Sequence, residues 1–172
     1  MPRNMEGRRS RPDPSPTLYV FKVALAGRKS IWRRIAIPSD QTLDDLREAI
    51  FGAFDRFDEH LYSFYLTPSG ARGRAALRDA VEYTSPIMIE GPELFGGPQV
   101  HNAGDTTIGS LGLMTGRTLK YLFDFGDEWW HDVTVEQTDG EPGPGRHPQV
   151  LEKHGASPPQ YPDPEEDDAD EE

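Results

Sequence analysis

Three carboxylates and an imidazole fall within one short run of this chain, Asp124-Phe-Gly-Asp-Glu-Trp-Trp-His131. Asp124, Asp127 and His131 could ligate a divalent metal or act as acid and base in a hydrolysis. His60 and Glu128 are the further groups that could join them. The spacing matches no strong ligand motif, and no His-Glu-x-x-His occurs. An Asp at a tight turn commonly serves its own backbone N–H groups. A histidine on the apolar side of a strand usually sits neutral against a carboxylate or carbonyl. The structural reading therefore outweighs the metal reading, which stands as an alternative over Asp124, Asp127 and His131, and no cofactor is expected.

Other chemistry finds less support. The chain has no cysteine, which excludes disulfides, thiolate zinc sites and thiol catalysis. Asp124-Phe-Gly126 resembles a kinase tripeptide, but no Gly-rich phosphate loop, Val-Ala-Ile-Lys strand or His-Arg-Asp loop accompanies it. Gly91-Pro-Glu-Leu-Phe-Gly-Gly97 lacks the Lys-Ser/Thr of a phosphate loop. Ser63 and Ser110 lack a Gly-x-Ser-x-Gly setting, and His147 and His154 lie among Pro and Gly. No nucleophile–base pair emerges.

The elements around the cluster follow from periodicity. Leu119–Glu136 reads as a β-hairpin, with Tyr121, Phe123 and Phe125 on one face. On its second strand Trp129, His131, Val133 and Val135 form the apolar set, so His131 is expected on the core side. Thr17–Ala26 and Ile31–Pro38 read as an opening hairpin turned at residues 27–30. Thr42-Leu-Asp-Asp45 fits a capping box. The helix that follows places Leu43, Leu46, Ala49, Ile50, Ala53, Phe54 and Phe57 on one buried face, with Asp44, Asp45, Arg47 and Glu48 off it. His60–Thr67 reads as a third strand. Residues 72–81 fit a short helix or loop, 83–90 a strand, and 91–104 a loop; 106–113 is a helical turn that plugs the core with Ile108, Leu111 and Leu113. These elements give an α+β domain, a β-grasp-like mixed sheet with one main helix, an insert before the last hairpin and disordered termini.

Three regions are expected: an Arg/Pro-rich arm over residues 1–16, a domain over 17–157, and an acidic tail over 158–172. The net charge is −12, with eight acidic residues in the last ten. Arg3, Arg8, Arg9 and Arg11 give the arm a small positive charge. The acidic middle makes duplex DNA an unlikely partner, because duplex binders usually carry a basic footprint. No apolar run approaches the ~18 residues of a membrane span, so no membrane partner and a cytoplasmic location are expected.

Alternation puts Trp32 with Arg34, opposite Ile35 and Ile37, on the less buried face. It is then either covered by the insert or open to a partner.

Taken in order, Tyr19-Val-Phe-Lys-Val-Ala-Leu, Ile31-Trp-Arg-Arg-Ile35, Thr42-Leu-Asp-Asp-Leu46, Phe57-Asp-Glu-His-Leu61-Tyr-Ser-Phe64 and Tyr121-Leu-Phe-Asp-Phe-Gly-Asp-Glu-Trp-Trp-His131 resemble the plasmid pRiA4b Orf-3-like domain. The resemblance covers roughly residues 17–159 and falls on Trp32, Arg33, Arg34, His60, Leu61, Asp124, Phe125, Gly126, Asp127, Trp129 and His131. It implies a bacterial protein of mobile elements, some relatives being labelled resolvase-like. No serine-recombinase opening motif or basic helix-turn-helix tail supports that label here. Where the family ends in a Cys-Pro-Pro-Glu-Asp-like segment, this chain has Ala156-Ser-Pro-Pro-Gln-Tyr161. No established activity comes with the resemblance.

Three functions are therefore weighed. The first is a non-enzymatic interaction module that binds an unknown protein partner or itself through a surface near Trp32 and Trp129. The second is a hydrolase or nuclease using Asp124, Asp127 and His131, with or without metal. The third is a nucleic-acid-associated accessory protein using the Arg arm. The candidate cluster is Trp32, His60, Asp124, Asp127, Trp129 and His131.

Overall fold

A computed structural model describes residues 15–70, 73–89 and 100–162. The Arg-rich arm up to residue 14 and the acidic run from 163 lie outside the described residues, as do the expectations attached to them. The opening hairpin pairs β1 (Leu18–Leu25) with β2 (Arg28–Pro38), turning at Gly27 with φ +80°. A left-handed φ of this kind costs glycine little and other residues more. Phe21, Val23, Ile35 and Ile37 are fully buried, so the strand alternation read from sequence sets the inner face.

Helix α1 (Leu43–Ala53) begins as expected. The Thr42 hydroxyl accepts from the Asp45 N–H at 3.2 Å, and the Asp45 carboxylate accepts from the Thr42 N–H at 2.9 Å. Leu43, Leu46, Ile50 and Ala53 pack inward. Two positions depart from the helical stripe. Arg47 is buried, because its side chain lies against the Phe51 and Tyr62 rings and its head pairs with Glu59. Phe57 is 67% exposed, because α1 stops at Ala53 and Asp55, at φ +57°, turns the chain away.

β3 (Tyr62–Leu66) is followed by α2 (Gly73–Arg78) and β4 (Val81–Thr84). The strand expected over 83–90 breaks at Ser85. Pro86 opens a short helix, α3 (Pro86–Ile89), where its missing N–H costs nothing. β5 (Val100–Asn102) and two 3₁₀ turns, Ala103–Asp105 and Ile108–Leu111, lead to β6 (Thr118–Phe123). Ile108 is fully buried and Leu113 nearly so, in line with the plug expected there. The final strands are β7 (Trp129–Gly140) and β8 (Gln149–His154).

The result is an α+β fold with one mixed sheet of eight strands in the order β5-β4-β3-β6-β7-β1-β2-β8. The strand–strand–helix–strand order read from the sequence is present. β1 is flanked by two antiparallel neighbours, β2 and β7, and the β4–β5 pair is parallel. β8 forms where the Gly- and Pro-rich composition predicts irregular chain. Val150 is its one residue packed on the core, so it carries no apolar alternation and is specified by pairing with β2. Packed chain also runs past the boundary read at 157, since Gln160 is only 2% exposed. No helix among the described residues is long and apolar enough to cross a membrane.

Candidate functional site

At the end of β6 the chain enters the turn with Asp124 at φ +65°, and leaves it with Glu128 at φ +55°. Asp124 Oδ1 accepts from the N–H groups of Gly126 (3.0 Å) and Asp127 (3.2 Å). Its own N–H donates to the Leu61 carbonyl at 2.9 Å, and its carbonyl accepts from the Glu128 N–H at 2.7 Å. The carboxylate is thus spent on shaping the turn, the ordinary role of Asp in such a position. Its other oxygen, Oδ2, lies 3.5 Å from His60 Nε2. That nitrogen is also 2.9 Å from the Tyr161 hydroxyl, which donates to Asp58 Oδ2 at 2.9 Å. The Tyr161 oxygen therefore accepts from His60, which fixes a proton on Nε2.

His131 is placed by register. It pairs with Leu25 of β1 and Tyr121 of β6, and Tyr121 pairs in turn with Phe64. That row faces the core. The imidazole is 2% exposed, 5.0 Å from the Phe54 ring and 5.1 Å from the Tyr121 ring. Burial first, and then the Arg56 charge, push its pKa down to about 4, so it is neutral near pH 7. Its Nδ1 has no hydrogen-bond partner among the described residues. The backbone carbonyls of Tyr121 and Trp129 stand against the imidazole and oppose that downward shift, so carbonyl surroundings of the kind expected for a neutral buried histidine are present.

The structure brings Asp124 and His60 together and leaves the rest of the expected set apart. Asp127 is exposed at the turn, while His131 lies under α1 against Phe54. Among the described residues no group of three His, Asp or Glu side chains could hold a metal. The metal reading over Asp124, Asp127 and His131 is therefore corrected. Strand alternation sends His131 inward, whereas the left-handed turn bends the Asp124 carboxylate back onto its own N–H groups.

The two tryptophans also separate. Trp129 is half-buried beneath the Arg56 guanidinium, 4.2 Å from the ring centroid. Trp32 is on the opposite face of the sheet from its inward neighbour Arg33. It stacks on His154 at 5.3 Å and 5°, with Lys22 and Arg34 also over its ring. The cover expected from the insert comes instead from β8.

Sequence reasoning missed three buried arginines and a docked C-terminal segment. Arg33 is 2% exposed and donates to the carbonyls of Ala53 (2.8 Å), Trp32 (2.8 Å), His154 (2.9 Å) and Gly155 (3.0 Å), and to the Ser157 hydroxyl (2.8 Å). Arg56 donates to the Pro158 carbonyl at 3.0 Å. Gln160 accepts from the N–H groups of Phe57 and Asp58 and donates to the Asp58 carbonyl. One signal was available, since Arg33 shares the inward parity of Ile35 and Ile37.

Residues 17–162 match the family described as Plasmid pRiA4b ORF-3-like protein. The chain belongs to that family. It is 28% identical over 130 residues to "Uncharacterized protein y4hQ" of Sinorhizobium fredii (strain NBRC 101917 / NGR234), covering 76% of this chain and 58% of that relative. The chain thus spans a little over half the length of this curated relative. It also resembles the crystal structure of a protein of unknown function, MM3350, from Methanosarcina mazei Go1. That likeness has a TM-score of 0.64 and 21% identity over 85% of this chain and 74% of the other, and it shows the fold. In this pRiA4b ORF-3-like chain, the most diagnostic of the five resembling segments, Asp124–His131, forms the turn of the β6–β7 hairpin and the start of β7.

Proposed function

We propose that this pRiA4b ORF-3-like protein is a non-enzymatic interaction module, with its contact surface at the turn end of the β6–β7 hairpin. One observation carries the reading. Phe57 (67% exposed), Tyr161 (47%), Phe125 (38%) and Leu61 (37%) are large, apolar and accessible around the His60–Asp124 contact. Phe57 and Tyr161 meet edge to face at 5.9 Å, Tyr161 bonds His60, and Leu61 bonds Asp124 through the backbone. Single exposed apolar side chains are ordinary, whereas a contiguous group rimmed by polar residues marks an interaction site.

The rim is acidic. Asp58, Glu59, Asp127 and Glu128 are all exposed beside the patch. A complementary partner presents Lys or Arg next to aromatic or aliphatic side chains. The surface differs from the one expected near Trp32, whose ring is already occupied by His154. A mobile-element setting belongs to this proposal and rests on the family's description as a plasmid protein. A cytoplasmic site of action goes with it, in keeping with an acidic chain that has no cysteine.

Peptide display against the immobilised full chain tests the reading. Enrichment of peptides pairing Lys or Arg with apolar residues is expected, and it should vanish with the double substitution Phe57→Ser and Tyr161→Ser. Absence of enrichment, or enrichment indifferent to the double variant, would overturn it. Sedimentation of both proteins separates self-association from binding of another partner.

A further inference from the structure

The other face of the sheet carries a second feature. Val23, Tyr121 and Val133 pack into the core with α1, so the side chains that alternate with them on β1, β6 and β7 point the opposite way. On that outer face Ala24 of β1 lies in register between Trp32 of β2 and Asp132 of β7. An alanine between two longer side chains leaves a hollow, and one of about 350 Å³ is present there. Lys22, Lys29 and Lys120 ring it, with Thr118 and Thr134 completing the wall.

The chain has four lysines in all, and three of them stand around this one hollow. They come from β1, β2 and β6, so the fold gathers them rather than a basic run of sequence. Three ammonium groups face a single carboxylate there, in a chain whose net charge is −12. That carboxylate, Asp132, is paired with Lys120. Among the described residues Lys22 and Lys29 have no ion-pair partner. The Lys22 ammonium lies over the Trp32 ring, 4.8 Å from its centroid, which holds it at the rim. Like charges gathered this way repel one another, and a bound anion relieves the repulsion. The Thr118 and Thr134 hydroxyls meet at 3.0 Å. One donates to the other, so the accepting hydroxyl keeps its own O–H for a ligand.

The positive field is confined. Arg34, in register with Lys22, is paired with Glu136 and Glu152. On the far side Tyr65 pairs with Lys120, and Glu82 follows Tyr65. A long polyanion laid across the strands meets these carboxylates, whereas a compact one does not. A phosphate group brings three acceptor oxygens and a charge of about −1.5 to −2 at neutral pH, which suits three ammonium donors. We infer that the hollow binds a compact anion bearing one or two phosphate groups, held by Lys22, Lys29 and Lys120 with a threonine hydroxyl as the further donor. This goes beyond the interaction reading and shares no residue with that surface.

The test titrates the full chain with inorganic pyrophosphate and, separately, adenosine monophosphate, against a chloride control at constant ionic strength. Calorimetry gives affinity, and the backbone amide resonances of Lys120 and Thr134 report the site. Saturable binding in at least one arm with shifts of those resonances is expected, and the tighter arm separates an inorganic ligand from a nucleotide. Lys29→Gln should bind up to about fivefold more weakly, the equivalent of one exposed ion pair. The double variant Lys22→Gln and Lys29→Gln should lose at least ~10-fold. Ala24→Leu fills the hollow without changing its charge and should abolish saturable binding, whereas diffuse attraction to lysines would ignore it. Phe57→Ser should bind as the parent does, which separates this site from the contact surface. No saturable binding in either arm overturns the inference. So does a response that neither the lysine variants nor Ala24→Leu alter, which would mean an adventitious ion only. A single-stranded oligonucleotide bound more tightly than either small anion overturns the compact ligand. Lys29→Gln changes an exposed side chain at the start of β2, so its result stands even if Ala24→Leu fails to fold.

Discussion

The Nη2 of Arg33, inside the sheet on β2, donates to the hydroxyl of Ser157 at 2.8 Å, 124 residues along the chain. The same guanidinium holds the carbonyls of His154 and Gly155. One buried side chain therefore ties the segment after β8 to the end of α1, whose Ala53 carbonyl it also caps. Arg33→Met should cost about 3–5 kcal/mol, because several buried carbonyls lose their donor at once. Urea unfolding gives the magnitude. Hydrogen exchange should show lost protection at residues 155–161 beyond the global effect.

Gly155 tests the same tether from the other side. It has φ +78°, and an added Cβ would lie 3.0 Å from the Ser30 carbonyl oxygen and 3.2 Å from Ile31 Cα. Backbone atoms cannot move aside as a flexible side chain would. Gly155→Ala should destabilise the fold by about 2 kcal/mol or more, from left-handed strain plus overlap. The cost should fall in the β2–β8 pair, seen as faster amide exchange at Trp32 and Arg34 than in the β6–β7 hairpin.

Asp124 is predicted to act as a turn residue. Asp124→Asn keeps the Oδ1 acceptor and tolerates φ +65°, so its cost should be below about 1 kcal/mol. Asp124→Ala loses both N–H contacts and keeps the strain, for a cost of about 2–3 kcal/mol. Equal costs for Asn and Ala would show that the Oδ1 acceptor does not hold the turn. Thermal unfolding of the two variants measures the difference.

His131 should give the fold a pH dependence. Below about pH 6.5 the unfolded chain takes up a proton on this histidine that the folded chain refuses until about pH 4. Stability is thus fully present above the unfolded pKa and falls as the pH drops through that window, by at most about 3 kcal/mol. His131→Phe, which keeps an aromatic ring against Phe54 and Tyr121, should remove that part of the slope. Denaturant unfolding of parent and variant at pH 7.5 and 4.5 measures the difference, and equal slopes would refute the assignment.

Phe57 is solvent-facing, so Phe57→Ser should change stability by no more than about 0.5 kcal/mol. Its effect should appear only in peptide binding. A large loss of stability would show that the ring is structural.

Periodicity along the chain already determined much of this protein. It gave the two hairpins, the capping box at Thr42, the inward side of β7 and the core position of His131, because alternation and helical spacing are local properties of sequence. Family membership was also legible there, in the run from Asp124 to His131. Tertiary structure alone decided which polar groups meet. His60 reaches Asp124 only because the loop after α1 passes beside the hairpin turn, and β8 exists only because β2 offers it an edge. The burial of Arg47 and Arg56 has the same origin, since long side chains take their place from the surfaces that close over them rather than from their spacing. The Asp124–Asp127–His131 set fell apart for that reason too. Neighbours in sequence at a tight turn are sent to different sides, while Arg33 and Ser157, at opposite ends of the domain, are brought within hydrogen-bond distance.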